Sequence, residues 1–162
     1  TGIAYTYLGI FYVALPFSLL NLAVFSVDTV YHYEILVGCL LILWASDTGA
    51  YFAGTRFGKT KLFERVSPKK SWEGFLGGAF SALVVAFIIS QYFIVIEDWK
   101  WLVIAGIIII AGTYGDLVES LFKRSIEIKD SGSILPGHGG FMDRFDGLLL
   151  SAPFITAFLK IC

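Results

Sequence analysis

The chain has 162 residues, of which 57% are hydrophobic, 17% aromatic and only 15% charged, against roughly a quarter charged in an ordinary soluble domain. With 12 Lys and Arg against 13 Asp and Glu, the net charge is −1, which excludes the strongly basic footprint of a nucleic-acid-binding protein. Cys39, inside an apolar run, and Cys162, at the end, neither staple a small fold nor show metal-ligand spacing, and so apolar a surface needs the bilayer as its solvent.

Five apolar stretches follow in chain order: residues 5–27, 35 to about 53, 76–96, 101 to about 122, and 147–161. Each reads as a membrane helix, because a hydrocarbon core of about 30 Å takes roughly 20 residues at about 1.5 Å each. Only the last falls short of that length. The first holds Pro16 and lacks the basic start and small-residue cleavage site of a secretory signal. It is read as one span, with a kinked helix or two half-spans as the ways it accommodates the proline. The expected fold is an all-α integral membrane protein, a polytopic bundle of about five helices in one membrane-embedded domain over 1–162. No fixed-period repeat or low-complexity tract divides it.

The connections differ sharply in charge. Residues 54–75 carry Arg56, Lys59, Lys61, Arg65, Lys69 and Lys70, and residues 123–144 carry Lys123, Arg124, Lys129 and Arg144, together 10 of the 12 basic residues. Two spans separate these segments, so they fall on one side, and the excess of Lys and Arg makes that side cytoplasmic. The linkers at 28–34 and 97–100 then lie opposite, and His32 in the first of them carries no functional signal.

A carboxylate at the centre of a membrane helix costs about 2.5–3.5 kcal/mol, so Asp47, Asp116 and Glu119 require explanation. They either snorkel to the interface or line a wet cavity. Asp116, Glu119 or Ser120, and Lys123 recur at steps of three and four, which puts acid, polar and base on one helical face. Asp143 and Asp146, three apart before the last run, suit a hard divalent cation such as magnesium, which takes one or two carboxylates plus substrate phosphates. Complementing the positive end of a helix dipole is the alternative for them.

Leu135-Pro136-Gly137-His138-Gly139-Gly140 is a loop by its proline and glycines; it is either a plain connection or a place where phosphate approaches backbone amides. The segment from Ala53 to Thr60 fits a relaxed phosphate-loop pattern, but that motif needs a strand before it and a helix after it. A membrane helix precedes it here, so its glycines read as the exit turn of the second span. Ser67-Pro68-Lys69-Lys70-Ser71-Trp72-Glu73-Gly74 is an orientation signal beside anionic headgroups or a holder of phosphates.

Taken together, Ser120, Lys123-Arg124, Lys129-Asp130, Gly132, Pro136, His138-Gly139-Gly140, Asp143-Arg144 and Asp146 resemble the signature of the phosphatidate cytidylyltransferases, or CDP-diacylglycerol synthases, without departure. Asp47-Thr48-Gly49 and residues 67–74 also look like that family, so the resemblance runs from about Leu43 to the C-terminus. Family members usually carry further N-terminal spans, and this chain starts at Thr1 without a methionine, so it is expected to be the C-terminal catalytic portion of a longer protein.

The resemblance implies transfer of a cytidylyl group from CTP to phosphatidic acid, giving CDP-diacylglycerol and pyrophosphate, with magnesium required. It implies Asp116, Asp143 and Asp146 as metal ligands, with Asp47 as a candidate for a second cation or the pocket wall. Lys123, Arg124 and Arg144 join them in the catalytic set as phosphate clamps. Substrate binding falls to Lys69, Lys70, Lys129, Asp130, His138, Gly139 and Gly140, with Lys69 and Lys70 drawing CTP or the lipid headgroup to the surface. His138 is a hydrogen-bond donor, with general acid as its alternative role. CTP, phosphatidic acid and membrane lipids are the expected partners, with a second copy of the chain a candidate. The expected location is a bacterial inner membrane, with the site facing the cytoplasm.

Three other readings are open. Intramembrane carboxylates also suit a cation or proton transporter, which leaves the Lys, Arg and Gly pattern from Ser120 to Asp146 without a purpose. An enzyme that consumes a CDP-activated lipid needs a different carboxylate spacing. A non-catalytic remnant that scaffolds a complete partner is the third.

Overall fold

The computed structural model describes residues 2–25, 30–63, 67–125 and 145–162. Its first part is a helical run of α1 (Gly2–Gly9), a π-helical turn (Ile10–Ala14) and α2 (Leu15–Val24), with helical backbone angles at both junctions, Gly9 and Leu15. The widened turn has a local cause. Pro16 has no N–H to donate, and its ring crowds the carbonyl four residues back, on Tyr12, so the turn ahead of it loosens. The first apolar run is thus one helical run with a widened turn, not two separated half-spans.

α3 (Tyr33–Phe57), α4 (Trp72–Tyr92) and α5 (Asp98–Ser125) are each long and apolar enough to cross a membrane. α6 (Asp146–Ile161) is shorter at 16 residues. α5 is the central helix. Its Trp101, Ile104 and Ile108 are buried in one core with Cys39 and Ile42 of α3, Ala82 and Ala86 of α4, and Leu148, Ala152 and Ile155 of α6. α3 and α4 approach closely enough that a Cβ on Gly77 would lie 2.2 Å from that of Ala53, so a larger side chain would force the pair apart. The outer surfaces of these two helices expose Val37, Leu41, Leu83, Val84 and Phe87, a surface suited to lipid rather than water. At the other edge Thr156 Oγ1 on α6 donates to the Leu19 carbonyl of α2 at 2.9 Å, joining the first helical run to the bundle.

The all-α expectation requires one amendment. Between α3 and α4, β1 (Lys61–Phe63) and β2 (Ser67–Ser71) form an antiparallel pair with Lys61 opposite Ser71 and Phe63 opposite Ser67, and a register irregularity between. Strands this short and polar leave no alternation for a sequence pattern to register. The hairpin leads directly into α4, whose first turn Ser71 caps by accepting the Gly74 N–H at 3.1 Å. The Glu73 carboxylate then reaches back to the N–H groups of Lys59 and Thr60, each at 3.2 Å. Those amides belong to the phosphate-loop look-alike. With a helix before it, a strand after it and a carboxylate on its amides, the Ala53 to Thr60 segment is a helix exit and not a phosphate loop.

Candidate active site

At the hairpin end of the bundle a cleft of about 550 Å³ is lined by Asp47 of α3, Lys70 of β2, Asp116 and Lys123 of α5, and Asp146 of α6, with Ile108 and Ile109 as apolar lining. A larger cavity of about 930 Å³ lies between α3 and α4, walled by Trp44, Phe52, Phe57 and Phe80 with Arg56 as its one charged residue. It has no described carboxylate, so the chemistry belongs to the smaller cleft.

Within the cleft the charges are interleaved. Lys70 Nζ forms an ion pair with Asp116 Oδ2, while Asp116 Oδ1 accepts a hydrogen bond from Ser120 Oγ at 3.3 Å. One turn further along α5, Lys123 Nζ stands 3.5 Å from Glu119 Oε2. Glu119, only 4% exposed, lies beside the Asp146 side chain, and Asp146 Oδ1 accepts the Gly147 N–H at 2.6 Å. Gly115 is what lets α6 come this near: a Cβ there would lie 2.6 Å from the Asp146 carbonyl oxygen.

Four carboxyl groups, those of Asp47, Asp116, Glu119 and Asp146, gathered at the edge of an apolar bundle are costly unless cations join them. Lys70 and Lys123 supply part of that compensation. Among the described residues no three acidic, His or Cys side chains converge as a complete ligand set. Asp116 and Asp146 nevertheless offer hard oxygen donors from facing helices, and one or two carboxylates are what magnesium usually takes from a protein. The described donors therefore fit that ion.

The sequence-predicted residues divide into three groups. Asp47, Lys70, Asp116, Lys123 and Asp146 come together, so Lys70 reaches into the cleft itself. Arg124, although adjacent to Lys123, is exposed at the end of α5 and does not line the cleft. Lys129, Asp130, His138, Gly139, Gly140, Asp143 and Arg144 lie outside the described residues, as does the side chain of Lys69, whose backbone is in β2. The proposed pairing of Asp143 with Asp146 on one helical face lies outside them too, with Asp146 the first residue of α6.

Glu119 takes one of the two alternatives that sequence reasoning left it, and Tyr12 gains a place that sequence reasoning had not given it. Glu119 is buried and paired instead of snorkelling, which its spacing to Lys123 allowed but did not require. The Tyr12 hydroxyl, on the π turn, is buried without a hydrogen-bond partner among the described residues and lies in the field of Glu119, Asp146 and Asp116. A lone tyrosine in an apolar run has no spacing signal, and the proline four residues on was the sole hint of an irregular turn.

The entire chain, residues 1–162, matches the model of the cytidylyltransferase family. The chain belongs to the cytidylyltransferase family. It is 42% identical over 147 residues to a phosphatidate cytidylyltransferase of Haemophilus influenzae, covering 86% of this chain and 50% of that protein. It is 40% identical over 152 residues to one from Staphylococcus aureus, covering 88% and 58% respectively, and 40% over 151 residues to one from Staphylococcus saprophyticus, with the same coverage. The chain thus spans about half the length of the curated relatives it matches. In this cytidylyltransferase-family chain, lysines and carboxyl groups share one cleft, an arrangement that can hold phosphates and a divalent cation side by side.

Proposed function

We propose that this chain is the membrane-embedded catalytic portion of a phosphatidate cytidylyltransferase, transferring CMP from CTP to phosphatidic acid and releasing pyrophosphate. The observation that carries this reading is the Lys70–Asp116 pair, which unites a basic hairpin and an acidic helix in one cleft at the end of an apolar bundle. The name carried by the relatives supports the same reading. The lipid keeps its acyl chains in the bilayer and its phosphate at the interface, and a cleft at the end of an apolar bundle suits the meeting of both substrates.

The attacking group is a phosphate oxygen of the lipid, already ionised at neutral pH, so the reaction needs no strong base. Its obstacle is bringing two anions together, and catalysis rests on positioning and charge neutralisation. Lys70 and Lys123 hold phosphate oxygens within the cleft, Arg124 and Arg144 clamp phosphates of either substrate, and Lys69 and Lys129 add to substrate binding. Asp130, His138, Gly139 and Gly140 complete the nucleotide side, with His138 donating a hydrogen bond. Asp116, Asp143 and Asp146 hold magnesium, which when bound neutralises charge on the triphosphate oxygens. Asp47 is the candidate for a second cation. Five crossings and a bacterial inner membrane with the cleft facing the cytoplasm complete the proposal, supported by the apolar runs, the placement of basic residues and the bacterial source of the relatives, and a second copy of the chain is its candidate partner.

The whole protein in micelles of phosphatidic acid, with magnesium and CTP labelled at the α- or γ-phosphate, tests this. The α label should enter the lipid and the γ label should leave as pyrophosphate. Asp116→Asn should slow transfer by about a hundredfold or more with the thermal midpoint retained. Transfer of γ label, or of neither, would overturn the reading.

A further inference from the structure

We infer that Lys70 is a resident counter-cation that changes partners during binding: it holds Asp116 until a divalent cation arrives, then passes to a phosphate oxygen of the nucleoside triphosphate. This rests on the proposed use of the cleft by a cation and a nucleotide, and adds an order of events to it.

The first support is that both Asp116 oxygens are already engaged, Oδ1 by Ser120 and Oδ2 by Lys70. A hard cation bound to this carboxylate must displace one of them. Ser120 sits one turn along the same helix and is held by α5 itself, whereas Lys70 arrives from the hairpin on a four-carbon stem with three donors that can turn to a new acceptor without backbone movement. The second support is the character of the pair. The other ion pairs among the described residues, Lys100 with Glu97 and Lys123 with Glu119, are local contacts within one stretch of chain. Lys70–Asp116 instead joins distant elements, with side chains 24% and 39% exposed, and an ion pair that wet is weak enough to exchange. The third is charge. A divalent ion added beside Asp47, Asp116, Glu119 and Asp146 takes over the balancing of carboxyl charge that Lys70 supplied, and the displaced ammonium then meets incoming phosphate as a ready partner.

The proposal predicts effects of opposite sign from one substitution. Lys70→Met keeps the apolar stem and removes the charge. In the whole protein without nucleotide, Mn²⁺ titrated by electron spin resonance should bind Lys70→Met about threefold more tightly than the wild type. At saturating Mn²⁺, CTP should bind the same variant about tenfold more weakly. Lys61→Met removes the same charge from the exposed β1 strand outside the cleft and should move neither constant beyond about twofold. Lys70→Arg should restore CTP binding at least in part. Unchanged or weaker Mn²⁺ binding to Lys70→Met, an equal gain in Lys61→Met, or unaltered CTP binding would each overturn the exchange. Should the methionine variant lose its thermal transition, Lys70→Gln makes the same comparison. Both readouts are equilibrium measurements, so absence of turnover in the wild type would count against the proposed reaction and not against this exchange.

Discussion

Asp116 and Glu119 lie one turn apart on α5, and each meets a lysine by a different route. Glu119 pairs with Lys123 on its own helix, a contact that spacing alone makes available. Asp116 pairs with Lys70 from β2, a contact that requires the hairpin to fold over the helix end. Glu119→Ala would leave Lys123, whose side chain is 15% exposed, without that carboxylate at a mostly buried position. The expected loss is about 1–3 kcal/mol, below the full value for a buried pair because water reaches the lysine, and thermal unfolding in detergent measures it. Glu119→Gln should recover part of the loss through its remaining contact with Asp146, whereas an unchanged midpoint in the alanine variant would mean that Glu119 holds nothing in place. At this scale the stripe of Asp116, Glu119, Ser120 and Lys123 was legible because helical periodicity encodes it. The meeting of Lys70 with Asp116, and of Tyr12 with the carboxyl groups, was not, because it depends on how separate elements dock.

Among the elements, the long helices were legible from length and hydropathy because each must supply its own backbone hydrogen bonds and an apolar exterior across the bilayer. Their ends were less so. α4 begins at Trp72, earlier than its apolar run, because Ser71 caps it and Glu73 ties its first turn to Lys59 and Thr60. The hairpin escaped notice because it is built from polar residues without alternation, and the π turn because only Pro16 betrays it. The α5–α6 contact matters most for chemistry, since Gly115 sets the distance between Asp116 and Asp146. Gly115→Val should push α6 outward, because its Cβ would fall 2.6 Å from the Asp146 carbonyl. The expected result is at least a tenfold drop in cytidylyl transfer with a destabilisation of about 1–3 kcal/mol. Gly106, whose added Cβ would meet nothing within 4 Å, is the control, and Gly106→Ala should leave both activity and midpoint near the wild-type values.

For the molecule as a whole, the charge pattern predicted that the two basic segments share a side. The Lys70–Asp116 pair joins the first of them to the end of α5 from which the second departs, which agrees with that arrangement. Single cysteines test it in a Cys162→Ser background, where buried Cys39 does not compete. Lys61→Cys and Arg124→Cys should react with an impermeant reagent from one face of the membrane and Asp98→Cys from the other. Labelling of Lys61→Cys and Arg124→Cys from opposite faces would dismantle the common cleft.

Below the cleft, Ile108, Ile104 and Trp101 of α5 close against Ile42 and Ile155, each at most 1% exposed. Among the described residues that stack is hydrocarbon and indole. A cation held among the carboxyl groups therefore rests on an apolar floor, where it would shed its water and gain no ligand in return. The floor thus keeps the charge of the site at one end of the bundle.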